Sequence, residues 1–259
     1  MLLVIDIGNT NLTIGLFEGE NLGWHWRLAT DHNRMPDEYG LQLLGLLEHA
    51  GHNIRDLPAG YITGIALSSV VPPLTGRVTD ACVQYLKKQP LVVDTGVKTG
   101  IRIRYEDPKS VGADRICDAA AVMHHYGGPA CVIDFGTATT FNAITKEGDY
   151  LGGAITAGIN LAAEALYTRA AKLPRIELQR PPNVIGRNTV HAMQSGLLYG
   201  YVCMVEGMVA RFRKELGPQM KVVATGGLAE IVSKETTVIQ HIDPWLTLDG
   251  LRIIWGLNQ

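Results

Sequence analysis

An apolar strand that ends in Asp-x-Gly occurs twice in this 259-residue chain, about half its length apart. The first copy reads Leu3-Val4-Ile5-Asp6-Ile7-Gly8-Asn9-Thr10-Asn11, and the second Cys131-Val132-Ile133-Asp134-Phe135-Gly136-Thr137-Ala138-Thr139. After each turn a strand pattern resumes, from Leu12 to Phe17 in the first copy and from the second turn to Thr145 in the other, so each copy predicts a β-hairpin. A lone Asp-x-Gly is an ordinary turn. Two copies in matched surroundings predict a duplicated α/β domain with a cleft between the halves, residues 1–115 and 116–259.

The chemistry of such a turn suits phosphate. Glycine lets the backbone approach an oxyanion without a Cβ in the way. Successive backbone N–H groups form an anion-binding nest, and Asn9, Thr10, Asn11 and Thr137 add side-chain donors. The carboxylate at the strand end is placed to hold a cation that neutralises the phosphates. No GxxxxGK[ST], strand-linked GxGxxG or GxSxG is present, so any phosphate site is of neither Walker nor Rossmann type.

Between and beyond the turns, strand patterns alternate with helical ones. Helical spacing runs over 38–51, 74–88, 111–126, 160–172 and 189–216, and strands are predicted over 62–71, 90–94 and 221–225. Residues 237–259 predict one short strand and a last short helix. Residues 152–158, Gly-Gly-Ala-Ile-Thr-Ala-Gly, read as a loop. With 46% hydrophobic and 19% charged residues the chain can bury a core. A formal net charge of −2 gives no electrostatic footprint for nucleic acid or an anionic membrane. Four cysteines without a CxxC pair fit reduced core thiols of a cytoplasmic protein. The N-terminus reads as a strand and not as a signal peptide.

A third segment, Val222-Val223-Ala224-Thr225-Gly226-Gly227-Leu228, follows the two turns as strand, double glycine and helix start. The order Asp-x-Gly hairpin, Asp-x-Gly-Thr hairpin, Thr-Gly-Gly resembles the actin, sugar-kinase and heat-shock-chaperone ATPase superfamily. Within it the chain is similar to the type III pantothenate kinases over nearly its whole length. The residues that carry this are 6–11, Ser68-Ser69-Val70-Val71-Pro72, Gly112-Ala113-Asp114-Arg115, 134–140, Gly186-Arg187-Asn188-Thr189 and Thr225-Gly226-Gly227.

The resemblance implies duplicated actin-like (ribonuclease H-like) domains. It implies ATP-dependent phosphorylation of pantothenate to 4′-phosphopantothenate, the first step toward coenzyme A, by a cytoplasmic homodimer that uses Mg²⁺ and a monovalent cation, K⁺ or NH₄⁺. Asp6, Ile7, Gly8, Asn9, Thr10, Asn11, Leu12 and Thr13 would cradle ATP, with Asp6 on Mg²⁺ through phosphates or water. Thr137 would contact ATP, and Asp134 would bind the monovalent cation. Tyr105, Gly112, Ala113, Asp114, Arg115 and Thr189 would contact pantothenate, with Asp114 as proton acceptor.

The residues alone leave alternatives open. Asp114 near a helix start is also a favoured capping residue, and Arg115 could pair with Asp118 instead of a substrate carboxylate. Thr189 could be the cap of the long helix that follows it. Another small-molecule kinase of the superfamily, or a regulator that binds nucleotide without catalysis, would share the two turns.

Overall fold

Residues Leu2–Ile7 form β1, a strand buried along nearly all its length. An apolar run without a polar face belongs inside a sheet covered on both sides. β2 (Asn11–Glu18) pairs with it antiparallel on one side and β4 (Gly64–Ser69) parallel on the other. β3 (Asn21–Ala29) and β5 (Leu91–Val92) complete a sheet ordered β3-β2-β1-β4-β5. The computed structural model describes residues 1–51 and 61–259.

Two helices, α1 (Pro36–His49) and α2 (Pro72–Leu86), pack on each other. Their starts are set locally. The Glu38 carboxylate accepts the Met35 N–H at 2.8 Å, and Ser69 Oγ accepts the Val71 N–H at 3.1 Å just before the Pro72-Pro73 pair. Proline suits a first helical turn, where its missing N–H has no partner to lose. Tyr39, Leu43, Leu47, Leu74 and Val78 close a core over Leu3, Ile5, Ile7, Leu12 and Ile14.

The second sheet holds β6 (Arg102–Ile103), β7 (Ala130–Phe135), β8 (Ala138–Ile144), β9 (Asp149–Ala157), β10 (Lys221–Thr225) and β11 (His241–Ile242). Its order is β11-β10-β7-β8-β9-β6. Taken from β9, the series β9-β8-β7-β10-β11 repeats β3-β2-β1-β4-β5, with the same antiparallel and parallel pairings. The duplication in sequence is therefore a duplication in topology, with β6 added at the β9 edge. Helices α4 (Ile159–Arg169), α5 (Thr189–Leu216) and α6 (Ala229–Ser233) belong to this half, and Phe141, Val205, Val209 and Val222 lie in its core.

Two compact units result. One comprises 1–101, 106–121 and 246–259, within which 52–60 lie outside the described residues; the other comprises 102–105 and 122–245. The division falls within α3 (Ala113–His125), and the last helix, α7 (Leu246–Leu257), belongs to the first unit. Among the described residues no helix is long and apolar enough to cross a membrane.

Of the segment read as a loop at 152–158, residues 152–157 are instead most of β9, and Gly158 precedes α4. The strand pairs with β8 from Ala138↔Ala157 to Ile144↔Tyr150. Gly152 takes φ +116, with the Tyr105 ring lying where its Cβ would be. The glycines hide the strand signal, and pairing with β8 supplies what propensity does not.

Candidate active site

In the first unit Asp6 stands one position before the end of β1. It pairs in register with Thr13 of β2 and with Ser68 of β4. The turn is closed by the Gly8 N–H donating to Asn11 O at 3.0 Å. A Cβ on Gly8 would come within 3.1 Å of that same oxygen. Thr30, just beyond β3, ties the turn down: its hydroxyl donates to Gly8 O at 2.7 Å and its N–H to Thr10 O at 2.9 Å. Asn9, Thr10 and Asn11 are exposed, whereas Ile7 and Leu12 are buried. Residues 6–13 thus divide into a buried frame and an exposed, donor-bearing tip.

The expected proton acceptor lies in the same unit. Asp114 occupies the first turn of α3, and its carboxylate accepts the Arg115 N–H at 2.7 Å. Burial raises its pKa above the usual 3.8, and the Arg115 N–H and positive charge pull back against it. A carboxylate made more basic is better suited to take a proton. A Cβ on Gly112 would fall 2.5 Å from Asp114 Oδ1 and 3.3 Å from the Val70 side chain, so a larger residue there would press on the carboxylate. Ala113 and Arg115 are buried beside it.

Beneath Asp114 sits Cys117, fully buried, its thiol pushed well above its usual range by burial and then by the charges of Asp6, Asp118 and Asp114. Ser68 is fully buried too; among the described residues its hydroxyl finds no oxygen or nitrogen partner, and it lies against that thiol. Asp118 is buried and accepts the Thr247 hydroxyl at 2.7 Å. The sequence reading did not single out Cys117 or Thr247. The spacing of Asp114 and Asp118, four apart on a helix, is the one local signal that placed two carboxylates on one face.

In the second unit Asp134 holds the corresponding place on β7, in register with Thr140 of β8 and Thr225 of β10. Its turn is closed by the Gly136 N–H to Ala138 O at 3.1 Å, and Gly158 N–H donates to Thr137 O at 3.0 Å. The first glycine after β10 has a structural cause. Gly226 takes φ +87, and a Cβ there would strike the Asp134 carboxylate and lie 2.7 Å from the Phe135 backbone nitrogen. Thr139 and Tyr201, from β8 and α5, share a buried hydroxyl–hydroxyl hydrogen bond. The Tyr201 pKa is raised by burial, and the nearby Asp134 charge adds to that.

Thr137 is exposed at the tip of this turn. Tyr105 is partly exposed, its ring over the Gly152 backbone. Thr189 is not the cap of α5. Asn188 is, its side chain accepting the His191 N–H at 2.8 Å, so Thr189 keeps its own exposed hydroxyl. Gly186 is fixed by close approach to the first turn of that helix, 2.5 Å from Ala192 Cα were a Cβ present.

The two turns share a strand-end carboxylate, Asp6 or Asp134, beside a glycine, with hydroxyl residues in register on both neighbouring strands. They differ at the tip, where the first exposes Asn9, Thr10 and Asn11 and the second exposes Thr137. Among the described residues no group of three or more His, Cys, Asp and Glu could hold a metal ion.

The family model for type III pantothenate kinase matches residues 2–211 of the chain. A type III pantothenate kinase of Moorella thermoacetica is 52% identical over 258 residues, covering all of both chains. The chain belongs to the type III pantothenate kinase family. Solved structures agree on the fold. A Baf family protein from Campylobacter jejuni superimposes with a TM-score of 0.62 at 19% identity, over 99% of this chain and 98% of that one. An inorganic polyphosphate/ATP-glucomannokinase from Arthrobacter sp. strain KM gives 0.52 at 13% identity, over 100% and 99%. The actin-like fold expected for a type III pantothenate kinase is thus the fold observed.

Proposed function

We propose that Asp114 takes the proton from the pantothenate hydroxyl while the turn at residues 6–13 holds the phosphates of ATP. The chain is a type III pantothenate kinase, and its reaction is phosphorylation of pantothenate in coenzyme A biosynthesis. Phosphoryl transfer to an alcohol needs little covalent help from protein. It needs a held triphosphate, an in-line hydroxyl and a group to accept the proton. The observation that carries the assignment is Asp114 itself, a half-buried carboxylate at a helix start whose pKa burial raises.

In this reading Asp6 supports Mg²⁺ through phosphates or water, and Thr137 contacts ATP. Magnesium, when bound, spreads the charge that develops on the transferred phosphoryl. Asp134 holds K⁺ or NH₄⁺, with Thr140 and Thr225 in register beside it on the neighbouring strands. Pantothenate is met by Tyr105, by Gly112 to Arg115 and by Thr189; Arg115 offers a cation for its carboxylate and the start of α3 favours an anion. The enzyme works in the cytoplasm as a homodimer. Tyr167, Val184 and Ile185, the last 82% exposed, supply apolar surface suited to a second copy.

The test is pantothenate-dependent ADP release with Mg·ATP, comparing the wild type with Asp114→Asn. Loss of the base lowers kcat at least about a hundredfold. Stability moves the other way. A folded pKa above the unfolded one means that the stabilising contribution is present below the unfolded pKa and lost as pH rises through the folded value. At neutral pH the ionised Asp114 is therefore a cost, so Asp114→Asn keeps or raises the melting temperature. In the wild type kcat/KM falls as pH drops through a pKa above 3.8. Turnover of Asp114→Asn within tenfold of wild type would remove Asp114 from the role.

A further inference from the structure

The C-terminal helix is the element of the first unit whose role the reaction has not yet used. α7 carries Leu246, Leu248, Leu251 and Ile254 buried against the sheet, in contact with β1, β2 and β4. A helix held by those residues alone would have no need of polar or small residues on its inner side. Two such residues are present, three apart and so on one face. The Thr247 hydroxyl donates to Asp118 Oδ1 at 2.7 Å, joining residues 129 positions apart. Gly250 meets the backbone of Cys117, where a Cβ would lie 2.5 Å from the carbonyl carbon and 2.9 Å from Cα.

Both contacts fall on consecutive residues of α3, Cys117 and Asp118, one turn after Asp114. A glycine at a helix crossing lets two backbones touch, and a hydrogen bond to a buried carboxylate is directional. Together they fix both the height of α3 above the sheet and its rotation about its own axis. Any shift of that register is passed to Asp114 through a rigid turn of helix. A displacement of about 1 Å at a reacting group can cost about a hundredfold in rate.

We infer that Thr247 and Gly250 are positioning residues for phosphoryl transfer: α7 is a buttress that sets α3, and through it the direction in which Asp114 points. The inference rests on the reading of Asp114 as proton acceptor, and the test separates the two. Thr247→Val keeps the shape and removes the hydrogen bond. It is expected to lower kcat about tenfold, with KM for ATP and for pantothenate within about twofold. Thr247→Ser restores most of the loss, because the hydroxyl is what matters. In an Asp114→Asn background Thr247→Val costs no further rate, since the group it positions is gone. Gly250→Ala is the second probe, expected to lower kcat at least as far as Thr247→Val.

The inference is overturned if Thr247→Val lowers the melting temperature but leaves kcat per folded molecule unchanged, which is a purely structural role. It is overturned equally if Thr247→Ser is as slow as Thr247→Val, or if the tenfold loss persists in the Asp114→Asn background. Failure of the Asp114 reading looks different: Asp114→Asn alone would then keep its activity, whatever Thr247 does.

Discussion

The two Asp-x-Gly turns start alike and are finished differently. Each follows the central strand of its sheet and sets its Asp opposite a threonine, Thr13 or Thr140. The parallel neighbour then differs: Ser68 faces Asp6, and Thr225 faces Asp134. The first turn, Gly8 to Asn11, is anchored from its own sheet by the Thr30 side chain and leaves an exposed tip. The second, Gly136 to Ala138, is closed in by backbone, with Gly158 against Thr137 and Gly226 against Asp134. The duplication kept a frame of backbone donors with a carboxylate beside it. In the proposed reading, what surrounds each carboxylate assigns the large polyanion to the first turn and the small cation to the second.

That contrast breaks most readily at its glycines. Gly226→Ala forces a side chain into a left-handed φ and into Asp134, and is expected to cost about 3 kcal/mol of stability. Gly8→Ala meets only Asn11 O at 3.1 Å, and its cost is about 1 kcal/mol or less. Melting temperatures of the two variants measure the difference. Equal losses would mean that the two turns are equally enclosed, contrary to their geometry.

A smaller effect sharpens the same point. Thr139→Val leaves the buried Tyr201 hydroxyl without that partner, at about 2 kcal/mol. Thr30→Val removes a part-buried bond to Gly8 O, which solvent replaces in part, at about 1 kcal/mol. Thermal unfolding of the pair ranks them. The reverse order would place the tighter polar network at the first turn.

The legible parts of this molecule were local. The repeated strand-Asp-x-Gly pattern marked the β1-β2 and β7-β8 hairpins, and the helix over 189–216 and strand over 221–225 have the bounds read from the sequence. β9 was hidden by Gly152 and Gly153, because its stability comes from pairing with β8 and not from its own residues. The need for glycine at 226 comes from the end of β7, distant in the chain, which fills the space where a Cβ would lie. Thr189 and Asn188 are both capping residue types, and only the folded helix start selects Asn188. Pairs such as Asp118 with Thr247, or Thr139 with Tyr201, join distant stretches of chain and leave no mark in local sequence.

The most direct test of the contrast is a potassium titration of pantothenate-dependent ADP release, at constant ionic strength balanced with sodium, for wild type, Asp134→Asn and Asp6→Asn. The wild-type rate is predicted to rise with potassium. Asp134→Asn loses that response, while Asp6→Asn keeps it and requires at least about tenfold more Mg·ATP for half-maximal rate. A potassium response that survives in Asp134→Asn, or that disappears in Asp6→Asn, would contradict the division of labour between the two turns.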